Sequence, residues 1–158
     1  MRWTSETIEE LLLELRAHGK DFEDVEVKLG AGGVPQLGDT ICAFGNMPNG
    51  GIIVVGLDEN DGFAAVGVAD PGLIEQGIAA TARTAVVPPV QVSFQEADVG
   101  GATLVIATVS GLPSNQRPCR YQGQAYLRQS DGAYPMSELE IQQVMALRER
   151  PRYDPQPV

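Results

Sequence analysis

Hydrophobic and polar positions alternate along this chain in two periods, and the change of period marks its elements. Ile8, Leu11, Leu12 and Leu15 recur at helical spacing, so Ser5 to His18 reads as an amphipathic helix. Thr4 or Ser5 suits its N-cap, Glu6, Glu9 and Glu10 suit its first turns, and Gly19 suits its end. Val25 to Leu29 alternates strictly, placing Val25, Val27 and Leu29 on one face of a strand and Glu26 and Lys28 on the other. A second helix is predicted from Gln36 to Asn46 on Leu37, Ile41 and Phe44. The β-branched run Ile52 to Leu57 reads as a buried strand after the Asn49-Gly50-Gly51 turn. Phe63 to Val68 is expected to return as its hairpin partner.

Asp70-Pro71 opens a third helix, predicted to run to about Ala85, where Val86-Val87-Pro88-Pro89 stops it. Val90 to Ala97 and Ala102 to Val109 form two strands around Gly100-Gly101. A polar loop from Ser110 to Arg120 leads through Tyr121-Gln122-Gly123-Gln124, a tight turn, into a short strand, Ala125 to Arg128. Ser137 to Arg150 reads as a final helix. Hairpins alternating with helices predict an α/β (α+β) domain: a mixed β-sheet of about six strands with helices packed on it. Residues 1–150 are expected to form this domain, with 151–158 a proline-rich flexible tail or the start of a linker.

With 158 residues, one domain with a real core is expected. No apolar run is long enough to span a membrane, and acids stand where a signal peptide needs an apolar stretch, so a cytoplasmic setting is expected. The two cysteines, Cys42 and Cys119, read as free thiols, and one histidine without a CxxC pair excludes a zinc finger. The formal net charge of -10 argues against a simple duplex clamp. Its distribution changes that picture. Eight acids fall within the first 26 residues, whereas Arg117, Arg120 and Arg128 share a stretch with no acid. With Tyr121 and Tyr126 among them, these arginines are candidates for gripping phosphates and stacking bases; a solvated loop and an arginine pairing a neighbouring acid are the alternative.

Four segments, in order, resemble the Schlafen-type AlbA family, a DNA-binding domain of bacterial transcriptional regulators. They are Asp21-Phe22-Glu23-Asp24-Val25-Glu26-Val27-Lys28, Ile41-Cys42-Ala43-Phe44-Gly45-Asn46, Asn49-Gly50-Gly51 through Gly56-Leu57-Asp58, and Ala125-Tyr126-Leu127-Arg128 followed by Ser137 and Glu140. The resemblance implies an AlbA-like fold and a nucleic-acid-binding module, DNA or RNA, in a regulator. In the Schlafen branch, related domains are metal-dependent endoribonucleases with three carboxylates. The matching positions here are Asp21, Glu26, and Asp58 or Glu59, which would hold Mg²⁺ or Mn²⁺, with Lys28 neutralising phosphate. The chain departs from that branch in three ways. Asp21 replaces a glutamate, Val27 replaces a phenylalanine, and one domain stands where the nucleases join two, so a homodimer would supply the second. The alternative for the acids is a solvated rim, with Glu26 and Lys28 a surface pair. The glycines at Gly30 to Gly33 lack the lysine and hydroxyl of a P-loop. An oligomerisation or protein-interaction domain is the remaining reading.

Overall fold

The computed structural model describes residues 3–149. The proline-rich tail, and with it the expected boundary near residue 150, lies outside the described residues. Helix α1 (Ser5–His18) begins at Thr4, whose side chain accepts from Thr7 N while Thr7 bonds back to the Thr4 N–H. It ends at Gly19, where φ of 80° admits glycine freely. Its stripe of Ile8, Leu11, Leu12 and Leu15 is buried as the spacing predicts.

The central sheet has four strands in the order β1-β2-β7-β6. These are β1 (Val25–Lys28), β2 (Gly51–Val55), β6 (Val92–Val99) and β7 (Ala102–Val109). β1 runs parallel to β2, with Val25 opposite Ile52 and Lys28 opposite Val55. The other two pairings are antiparallel. Strand alternation then sorts side chains into two cores. Val25, Val27, Val54, Leu104 and Ile106 pack with α1 on one face. Ile53, Val55, Val105 and Ala107 pack on the other, against α2 (Gly38–Gly45) and α3 (Pro71–Ala80). Each fully buried aliphatic side chain contributes about 1.5–3 kcal/mol, so the two layers together hold the sheet.

Two expectations about pairing change. β2 has β1 on one edge and β7 on the other, leaving no edge for the Phe63–Val68 segment. Gly56, at φ of 119°, turns the chain out of β2, and β3 (Leu57–Asp58) pairs with β4 (Ala64–Ala65) instead. The helix expected to reach Ala85 ends as α3 at Ala80 and continues as one wider turn to Ala85. Beyond β7, β5 (Val86–Val87) pairs with β8 (Arg120–Tyr121), and β9 (Tyr126–Gln129) with β10 (Gly132–Pro135). The expected mixed sheet with helices on it is present, and the shorter strands stand apart from it as three two-stranded ribbons. Helix α4 (Glu138–Glu149) closes the chain; the Ser137 hydroxyl accepts from Glu140 N and the Glu140 carboxylate accepts from Ser137 N.

Candidate functional site

The acids singled out around β1 are buried and not part of a solvated rim. Asp21 lies in the short loop after α1 and is 4% exposed; Glu26, in β1, is 8% exposed. Strand alternation sends Glu26 to the face opposite Val25 and Val27, toward α2 and β9. There Arg128 Nη1 donates to Glu26 Oε2 at 2.9 Å, and Lys28 Nζ stands 3.4 Å from Oε1.

Arg128 is committed to this site and is 1% exposed. Its Nε donates to the Glu23 carbonyl at 2.9 Å, and its Nη2 donates to the carbonyls of Phe22 at 2.9 Å and Val25 at 3.0 Å. Its guanidinium carbon lies 4.9 Å from the centre of the Phe44 ring. Four of its five N–H bonds are thus taken by the loop and strand around Asp21 and Glu26. Arg128, expected to grip phosphate, is instead buried with four of its N–H bonds turned inward to this cluster.

Asp21 Oδ2 accepts from Val27 N at 3.1 Å, while Oδ1 has no partner as an acceptor. Burial pushes the Asp21 carboxyl up to about 8, helped by a hydrogen bond to Glu26 and by the charges of Glu26 and Glu59. These observations fit together if Oδ1 carries a proton and donates it to Glu26. The structure therefore brings Asp21, Glu26, Lys28 and Arg128 into one cluster, with the charge of Glu59 felt at its edge. Asp58 is engaged locally instead, where its Oδ1 accepts from Asn60 N at 3.1 Å.

Among the described residues, no three carboxylate, imidazole or thiol side chains are arranged to hold a metal ion. Of the expected set of Asp21, Glu26 and Asp58 or Glu59, Asp21 and Glu26 lie together and Glu59 is near enough to raise Asp21. Glu26 is paired with Lys28 and Arg128, and Asp58 accepts from Asn60 N.

The remaining basic candidates lie in the segment before and within β8. Arg117 is half-buried and its Nε donates to the Leu112 carbonyl at 2.7 Å; Arg120 is half-buried in β8. Tyr121 packs so closely on α2 that a Cβ at Gly38 would meet its ring at 2.2 Å. Tyr126 packs partly into the core beside α2. The role of Asn46 was not visible in the sequence. Its Nδ2 donates to the carbonyls of Tyr126 at 2.8 Å and Cys119 at 3.1 Å, and its Oδ1 accepts from Cys119 N at 2.8 Å. Partners more than 70 residues away leave no trace in local periodicity.

The architecture defines a class: an α+β domain with a mixed four-stranded sheet and a buried acid–arginine cluster at the start of its edge strand. Residues 14–137 match the family model of the Schlafen, AlbA_2 domain, and the chain belongs to that family. Among solved structures it is similar to the N-terminal domain of a Nitrosomonas europaea protein described as related to the ATP-dependent DNA helicase RecG. The two are 25% identical with a TM-score of 0.64, over 87% of this chain and 90% of that one. It also shares its fold with the DIP2311 protein of Corynebacterium diphtheriae, at 19% identity and a TM-score of 0.55, over 88% of this chain and 29% of that one. No curated protein matches the chain. No described helix is long and apolar enough to cross a membrane.

Proposed function

We propose that this domain is a nucleic-acid-binding module of a cytoplasmic transcriptional regulator, working as a homodimer and without hydrolysis of its own. The observation that carries the reading is electrostatic. No acid occurs between Asp98 and Asp131, a rare gap in a chain of net charge -10, and Arg117, Arg120 and Tyr121 reach the surface inside it. Arginine forks beside an aromatic ring suit phosphates and unstacked bases. The described relation of the Nitrosomonas europaea protein to a DNA helicase supports the same class of ligand. Lys28, the half-exposed cation of the acid cluster, is a further candidate contact.

Titration of labelled tRNA and of a labelled duplex, read by anisotropy over a range of salt, tests this. Binding is expected to weaken steeply with salt, and the Arg117→Ala, Arg120→Ala double variant is expected to reduce the log–log slope by about 2. Absence of binding at low salt overturns the proposal, and sedimentation of the same sample reads the homodimer. Self-association without binding would favour an interaction domain. Strand scission that requires Mn²⁺ and disappears in Glu26→Gln would instead establish the metal-dependent endoribonuclease reading.

A further inference from the structure

Cys42 lies in the middle of α2 and Cys119 immediately before β8, and neither has a part in the proposed binding. Both are fully buried, with their Sγ atoms 3.8 Å apart. Each Sγ also lies 3.2 Å from the other residue's carbonyl oxygen, so the two residues face one another reciprocally. Asn46, one turn along from Cys42, holds both the N–H and the carbonyl of Cys119. The backbone on both sides is thus fixed so that the two sulfurs touch, across 77 positions of sequence.

The pair is also chemically unequal. The Cys119 thiol donates to Cys42 Sγ, and this hydrogen bond holds the Cys42 thiol below its ordinary range in spite of burial. The same bond, together with burial, pushes the Cys119 thiol up. The lowering favours a thiolate on Cys42, and Cys119 stands 3.8 Å away to resolve it.

We propose that Cys42 and Cys119 are a redox couple, closed to an internal disulfide by hydrogen peroxide, that ties α2 to the segment carrying Arg117, Arg120 and Tyr121. Cys42 sheds its proton, and its thiolate attacks one peroxide oxygen. The O–O bond breaks, and the departing hydroxide takes up the proton as water, leaving a sulfenic acid on Cys42. Cys119 then attacks Cys42 Sγ as its own proton is lost. The S–O bond breaks, and the second hydroxide leaves as water with that proton. Two thiols give up two electrons, and one peroxide becomes two waters. The sulfurs close by ~1.8 Å to reach bonding distance. Access comes through β8, which is held to β5 by a ribbon of only two residue pairs, Val86 with Tyr121 and Val87 with Arg120. Pairings so short open locally far more often than a core strand does.

The test uses the whole chain, folded, with hydrogen peroxide, followed by denaturation, alkylation of free thiols and intact-mass measurement. The expected product is a monomer lighter by two hydrogens that takes up no alkyl group, and that dithiothreitol returns to a doubly alkylated chain. Hydrogen exchange at Arg120 and Tyr121 is expected to slow about tenfold or more on oxidation. In Cys119→Ser the sulfenic acid on Cys42 should be trapped by dimedone, while Cys42→Ser should react far more slowly. Two thiols still open to alkylation, oxygen added without loss of hydrogen, or disulfide-linked dimers alone would each overturn the couple. Unchanged exchange in an oxidised monomer would overturn the clamp. The wild-type mass decides the couple even if a serine variant does not fold.

Discussion

The acid cluster turns on one proton. Asp21 is raised from the usual carboxylate range to about 8, so between about pH 4 and pH 8 the folded chain holds a proton that the unfolded chain has released. The stabilising effect of that proton is complete below about pH 4 and is lost as pH rises through 8. The slope from this residue is at most about 1.4 kcal/mol per pH unit. Asp21→Asn places a neutral donor where the proton sits and removes the titration. Its Tm should match the wild type below about pH 4 and exceed it increasingly as pH rises to 8, as measured by thermal melts across pH. Equal pH slopes for the two proteins would mean that Asp21 is ionised in the folded state. The residue that neighbours it, Glu26, is paired with both Arg128 and Lys28.

At the scale of elements, Arg128 is a rivet between β9 and the loop that feeds β1. It joins four backbone or carboxylate oxygens between Phe22 and Glu26, over 100 residues away in sequence. Arg128→Ala leaves Glu26 buried against Lys28 alone and strips a donor from the carbonyls of Phe22, Glu23 and Val25, and is expected to cost about 3–5 kcal/mol in urea unfolding. Arg128→Lys should recover little, because an ammonium lacks the planar fork that reaches all four oxygens. How much of this was legible beforehand follows from the range of each interaction. Helix α1 and strand β1 show in the sequence through repeats of 3.6 and 2, β2 through its β-branched run, and the β6–β7 hairpin through its Gly100-Gly101 turn. Strands β3 and β4, of two residues each, are too short to show a period, and the turn into β10 places its positive φ of 58° on Ser130, a residue that does not announce it. The motif around Glu26 was visible, and so was Arg128, but as a surface cation. Only its distant partners reveal that it is buried, and nothing in Ala125-Tyr126-Leu127-Arg128 points to them.

At the scale of the whole molecule, the glutamates of α1 and the arginines around β8 stand on opposite faces of the sheet. Helix α1 packs on one face and turns Glu6, Glu9, Glu10 and Glu14 outward. Leu112, Cys119 and Tyr121, which carry the acid-free stretch, pack on the opposite face with α2. A polyanion approaching this chain therefore meets repulsion on one side and two half-exposed arginines on the other. The two sides should act on different quantities. Charges on α1 are solvent-exposed and distant from any ligand held near β8, so salt screens them within about 8 Å at physiological ionic strength. Glu9→Lys combined with Glu10→Lys should speed association with labelled tRNA at low salt, and the gain should vanish near physiological salt, with dissociation unchanged. Arg117→Ala with Arg120→Ala should do the reverse, quickening dissociation at every salt concentration because direct phosphate contacts are lost. Stopped-flow measurements at two ionic strengths separate these outcomes. If the α1 variant alters dissociation as strongly as the arginine variant does, the nucleic acid lies on the α1 face and the polarity of the domain runs the other way.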